Sequence, residues 1–135
     1  MSDRHPMVGT WRVTVQVPGA PVGINLATLS LDGGVLVAFP SPTPAAPGAS
    51  HRLEYWTSAI GRWEPTGDRG AKMSFLALGV DENGSPIGTH AIAATAIAAE
   101  DGQSWSGPFT ITIDGPDGAT LASVSGTVSA VRLTA

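Results

Sequence analysis

This chain predicts an all-β fold: a single antiparallel up-and-down barrel of about eight or nine strands, with little or no helix. Three observations carry that expectation. Asp32-Gly33, Asn83-Gly84, Asp101-Gly102 and Asp117-Gly118 separate β-rich runs, and such dipeptides supply the positive φ of tight hairpin turns. Apolar and polar residues alternate with period two in the runs between them. Gly 17 and Pro 11 are high for 135 residues, and charged residues make up only 13%. That balance suits many short elements joined by turns rather than long solvated helices.

The elements follow in order. In the first strand, 8–17, Trp11, Val13, Val15 and Val17 share one face, and Thr10, Arg12, Thr14 and Gln16 share the other. Strands over 22–31 and 34–39 flank Asp32-Gly33. The segment 40–50, PSPTPAAPGAS, holds four prolines and reads as an extended loop that cannot join a ladder. It is either a solvated linker or a flap over a barrel mouth. Strands at 51–58, 61–66 and 71–80 come next. The Ala-rich THAIAATAIAA could tempt a helix assignment, but it lacks an N-terminal capping box and is bounded by Gly88 and the turn EDG. It reads as a strand over 87–99. In 104–114, Trp105, Phe109, Ile111 and Ile113 oppose Ser106, Thr110 and Thr112; in 119–133, Val128, Ala130 and Arg132 oppose Ser129, Val131 and Leu133. Consecutive strands joined by short turns pair as a meander, and closing the meander removes its edges. A two-sheet sandwich would need more long crossovers than the single one at 40–50.

Composition excludes several functions. With no cysteine there is no disulfide, thiolate metal site or Cys nucleophile. Net charge is −4 and the seven basic residues are scattered, so nucleic acid is not an expected partner. MSDRHPM has no apolar h-region and no run approaches the ~20 residues of a membrane span, so a cytoplasmic protein without membrane contact is expected. His51 and His90 lack a third ligand, so no metal is expected, and His5 is expected to face water. A Gly-rich phosphate loop and GxSxG are both missing; no cofactor is called for. One domain spans 1–135, with an N-terminal arm over 1–7.

Gly9-Thr10-Trp11 opens the first strand and Val131-Arg132-Leu133 ends the last. In this the chain resembles the calycin superfamily of lipocalins, fatty-acid-binding proteins and avidins. The resemblance implies that Trp11 closes one end of the barrel, that Arg132 lies over its ring, and that Gly9 lets the backbone pass close beneath. Any function would then lie at the other end. The departures are plain: VPGAPVG (17–23) is too short for a helical lid, no His follows His90 in a late strand, and no late helix is evident.

Strand 87–99 carries Ala91, Ala93, Ala94, Ala96, Ala98 and Ala99, so whichever of its faces lies inside is shallow. Small residues leave volume for one ligand, unless Trp and Phe from opposite strands fill the space. The densest chemistry is HRLEYWTSAIGRWEPTGDR (51–69). From it come Tyr55, Trp56, Arg62 and Trp63 as candidate ligand contacts, joined by Phe75 and Trp105. Glu54, Glu64, His51 and His90 are the candidate acid–base groups. The plainer alternative makes Arg52, Glu54, Arg62 and Glu64 members of exposed cross-strand pairs. Gly61-Arg62-Trp63 repeats the Gly-x-Trp spacing, a match too short to imply an internal repeat.

The expected function is binding of a small hydrophobic or aromatic molecule inside the barrel. The alternative is a cofactor-independent cyclase or isomerase acting on a hydrophobic intermediate. A third reading is a filled barrel that assembles through an exposed apolar face. A homodimer is the assembly considered.

Overall fold

A computed structural model describes residues 4–134. Ten strands follow in order: β1 (Gly9–Gln16), β2 (Gly23–Leu29), β3 (Gly34–Ala38), β4 (Thr43–Pro44), β5 (Leu53–Trp56), β6 (Ala59–Pro65), β7 (Gly70–Asp81), β8 (Pro86–Ala98), β9 (Ser104–Asp114) and β10 (Thr120–Arg132). Eight of them close a ring in the order β7-β6-β3-β2-β1-β10-β9-β8, with β8 returning to β7; every pairing is antiparallel. The fold is thus an all-β up-and-down barrel, compatible with a calycin-like fold, and no described residue is helical.

The hairpin signals act as expected at the chain level. Gly33, Gly84, Gly102 and Gly118 all take positive φ, and among the described residues no other residue type does. Each of these glycines donates its N–H to the carbonyl three residues earlier, at Ser30, Asp81, Ala99 and Gly115. The Asp or Asn before each Gly therefore stays right-handed, and Gly alone makes the reversal.

Two expectations about the middle of the chain are corrected. The proline-rich segment does join a ladder: Thr43 and Pro44 form β4 and pair with Glu54 and Leu53. Pro44 fits because β4 is the outermost strand, where a missing N–H breaks no ladder. Strands 51–58 and 61–66 do not form consecutive paired strands. Both β5 and β6 pair with β7, so they are one long strand interrupted at Thr57 and Ser58. From Trp56↔Gly79 to Ile60↔Leu76 the broken strand takes four steps while β7 takes three. One extra residue makes a bulge, tied by Thr57 N–H to the Leu78 carbonyl (2.9 Å) and by Leu78 N–H to Thr57 Oγ1 (3.0 Å). The meander survives, with β4 and β5 as the outer part of the hairpin that joins β3 to β6.

Inward residues form a continuous core. Trp11 and Val13 from β1, Ala27 and Leu29 from β2, Val35 and Val37 from β3, and Met73 from β7 are all buried. On β8 the alternation puts Ala94, Ala96 and Ala98 inside, while Ala91 and Ala93 face out. Outside, Leu36, Ile60 and Leu76 stand in one cross-strand row, half or more exposed in the case of Ile60 (67%).

Candidate functional site

Strand directions define two ends. The starts of β1, β3 and β7 meet the ends of β2, β6, β8 and β10 at one end, and Trp11 closes it. Its ring is fully buried, its Nε1 donates to the Met7 carbonyl at 3.0 Å, and the Arg132 guanidinium lies 4.2 Å from the ring centroid. A desolvated guanidinium over an indole gains up to ~2 kcal/mol. Arg132 also donates to the carbonyls of Gly102 (3.0 Å), Val8 (2.9 Å) and Pro6 (2.7 Å), so the N-terminal arm is laced to the last strand. Gly9 is needed here for Arg132: a Cβ at its φ of 144° would collide with the guanidinium.

His5 belongs to this end and does not simply face water. Its Nδ1 accepts the Met7 N–H (3.1 Å), its Nε2 donates to the Gly67 carbonyl (3.0 Å), and its ring lies 5.4 Å from that of Trp63. Trp63 is itself buried, with Nε1 donating to the Ser30 carbonyl at 2.8 Å. It therefore helps close the barrel floor and stands away from the cavity described next.

Above that floor lies a cavity of about 260 Å³. Its walls are mainly aliphatic and aromatic, with Val15, Val37, Phe75, Ile92, Trp105 and Phe109 among them. Among its lining residues there is no Asp, Glu, Lys or Arg. A wider depression of about 1040 Å³ spreads across the outside of β6 to β9, past Glu64, Lys72 and Thr95. It lies on the outer face, is the more open of the two and has charged walls, so the apolar space inside the barrel is the better site for a small hydrophobic molecule.

The mouth of this cavity is at the end remote from Trp11. Trp56 and His90 stack there, with ring centroids 3.7 Å apart and planes at 25°. Trp56 lies flat across β7 because its cross-strand partner is Gly79; a Cβ there would sit 2.7 Å from the indole. The Trp56 Nε1 donates to Glu54 Oε1 (3.1 Å), and Glu54 Oε2 meets His51 Nε2 (2.9 Å). Three of the four acid–base candidates are thus brought into one chain with Trp56. Glu64 is not among them: it is exposed on the outer face, 2.8 Å from Lys72.

Of the candidate ligand contacts, Trp56, Phe75 and Trp105 line the cavity. Tyr55 and Arg62 point outward, and Arg62 donates to the Asp32 carbonyl at 2.9 Å. Two polar cavity residues had not been singled out, Asn25 and Thr43. The alternation that puts Ala27 and Leu29 inside also puts Asn25 there, and that signal was available in INLATL. Among the described residues, neither the Asn25 amide nor the His90 ring nitrogens have a hydrogen-bond partner. Trp105 Nε1 is buried and likewise unpartnered, while its ring meets Trp11 edge-on at 5.9 Å.

Burial pushes the His90 imidazole below its ordinary value of 6.5, opposed in part by the Glu54 carboxylate. The folded state thus favours neutral His90. As pH falls through 6.5 the unfolded chain takes up a proton that the folded barrel resists, so His90 costs stability on acidification until its own folded pKa is passed. Urea midpoints at about pH 7.5 and about pH 5 should therefore fall further apart in wild type than in His90→Gln. An identical drop in both proteins would refute the assignment.

Among the described residues no three His, Asp or Glu side chains converge to hold a metal ion, and no helix is long and apolar enough to cross a membrane. Compared with known proteins, the chain matches no family model, no curated protein and no solved structure.

Proposed function

We propose that the barrel binds a small hydrophobic or aromatic molecule in its interior, admitted at the Trp56 end. The observation that carries this reading is the apolar cavity of about 260 Å³ inside a ring closed at its other end by Trp11. A cavity with a few unpartnered polar groups at one end suits a ligand held by apolar contact and oriented by hydrogen bonds. The cavity also weighs against a filled barrel used only for assembly. The test is titration with tetralin, a ten-carbon bicyclic hydrocarbon, followed by tryptophan emission, since Trp56 and Trp105 both line the space. Saturable change is expected in wild type and not in Ala94→Phe; a flat response in wild type would sink the proposal.

A cofactor-independent isomerase or cyclase is the second reading, favoured by His90. A neutral imidazole on the cavity wall with unpartnered nitrogens can remove a proton from carbon beside a carbonyl and return it elsewhere. Exchange of the α-protons of 2-tetralone in D₂O, followed by NMR, should exceed the buffer rate and fall in His90→Gln. Equal rates with and without protein would end this reading.

A further inference from the structure

We infer that the molecule held in the barrel is neutral, about ten non-hydrogen atoms in size, and carries an oxygen acceptor that the wall's unpartnered donors meet. The inference rests on the binding reading above and names the ligand's class. Size comes first. A cavity of about 150 Å³ accommodates benzene, so about 260 Å³ suits a bicyclic body.

Charge comes next. A carboxylate drawn into this space would find no Lys or Arg among the lining residues, and an unpaired buried charge is strongly disfavoured. Arg132 cannot serve, because Trp11 and three backbone carbonyls already occupy it at the closed end. The charged group nearest the mouth pair is acidic: Glu54, whose two oxygens hold Trp56 and His51. It repels an anion further. A cation fares no better inside, since no carboxylate lines the cavity.

The polar points then fix the ligand's chemistry. Asn25 is on β2 and His90 on β8, four strands apart in a ring of eight, so they come from opposite walls. The Asn25 amide offers two N–H donors and one acceptor oxygen, and the His90 imidazole one donor and one acceptor. Trp105 Nε1 is also without a partner, but it has no accessible surface and so adds no donor that a molecule in the cavity can reach. Together Asn25 and His90 offer three N–H donors against two acceptor atoms. A carbonyl or ether oxygen on a hydrocarbon body supplies what is missing.

Calorimetric titration with four molecules on one skeleton tests this: tetralin, 1-tetralone, tetralin-1-carboxylate and 1-aminotetralin. The ketone should bind about three- to tenfold tighter than the hydrocarbon, the effect of one net hydrogen bond. The carboxylate and the ammonium should bind at least about tenfold weaker than the ketone. Asn25→Leu should bring ketone and hydrocarbon level. Should that variant fail to fold, the wild-type NMR signal of the Asn25 amide should still move with tetralone and not with tetralin. Tight binding of the carboxylate or the ammonium, or equal affinities for ketone and hydrocarbon without a shift in that signal, overturns the inference and leaves the binding barrel standing. Failure of all four to bind removes the binding reading itself.

Discussion

Trp11→Ala should destabilise the barrel by about 3–5 kcal/mol, as deletion of a large buried aromatic does. Several terms converge on that ring. Its side chain is 0% exposed, so the whole apolar surface is returned to a cavity or to water. The Arg132 guanidinium loses the indole face it covers at 4.2 Å, and Trp105 loses its edge-to-face partner. The Met7 carbonyl loses its donor, which leaves the N-terminal arm held mainly by Arg132 and His5. Since a domain is stable by only ~5–15 kcal/mol, this is a large share. For a chain of this size the melting temperature should drop by roughly 10–20 °C in calorimetry. Trp11→Phe should cost clearly less, because a ring remains under the guanidinium. If Trp11→Ala melted within a few degrees of wild type, Trp11 could not be what closes the barrel.

That closing role was legible through the resemblance of Gly9-Thr10-Trp11 and Val131-Arg132-Leu133 to the calycin pattern, and the strand phase agrees with it. Trp11 begins a clean alternation, and Arg132 shares the inner face with Val128 and Ala130. The turns were legible from their own residues: a Gly after Asp or Asn marks the one residue that must take positive φ.

The middle of the chain was not legible in this way. Alternation continued from Trp56 would put Ile60, Arg62 and Glu64 inside and Trp63 outside. The bulge at Thr57 and Ser58 inserts one residue and reverses the phase. Glu54 and Trp56 turn inward above the break, whereas Ala59, Gly61 and Trp63 turn inward below it. Nothing in WTSAI announces that extra residue, so Arg62 and Tyr55 could not be sorted from Trp56 in advance. β4 was hidden differently. Its pairing depends on the neighbouring hairpin arm, and four prolines mask a two-residue ladder.

Filling the cavity should abolish binding without unfolding the protein, and Ala94→Phe is the substitution that does so most directly. Ala94 is buried on β8 and lines the cavity between Met73 and Phe109 on the flanking strands. A phenyl ring takes as much room as benzene, and benzene fits a cavity of about 150 Å³. More than half of the 260 Å³ is then consumed, and a bicyclic probe no longer fits. Affinity for tetralin should fall by more than about tenfold, or ~1.4 kcal/mol. Stability can move either way by a small amount: filling space commonly adds ~0.5–2 kcal/mol, and a poor fit costs ~1–3 kcal/mol. Ala27→Phe, from the opposite wall on β2, should have the same effect on binding through different neighbours. Loss of tetralin binding in both variants, with cooperative melting retained, places the ligand inside the barrel. Retention of full affinity in both would place it elsewhere, and the interior would then serve only as core.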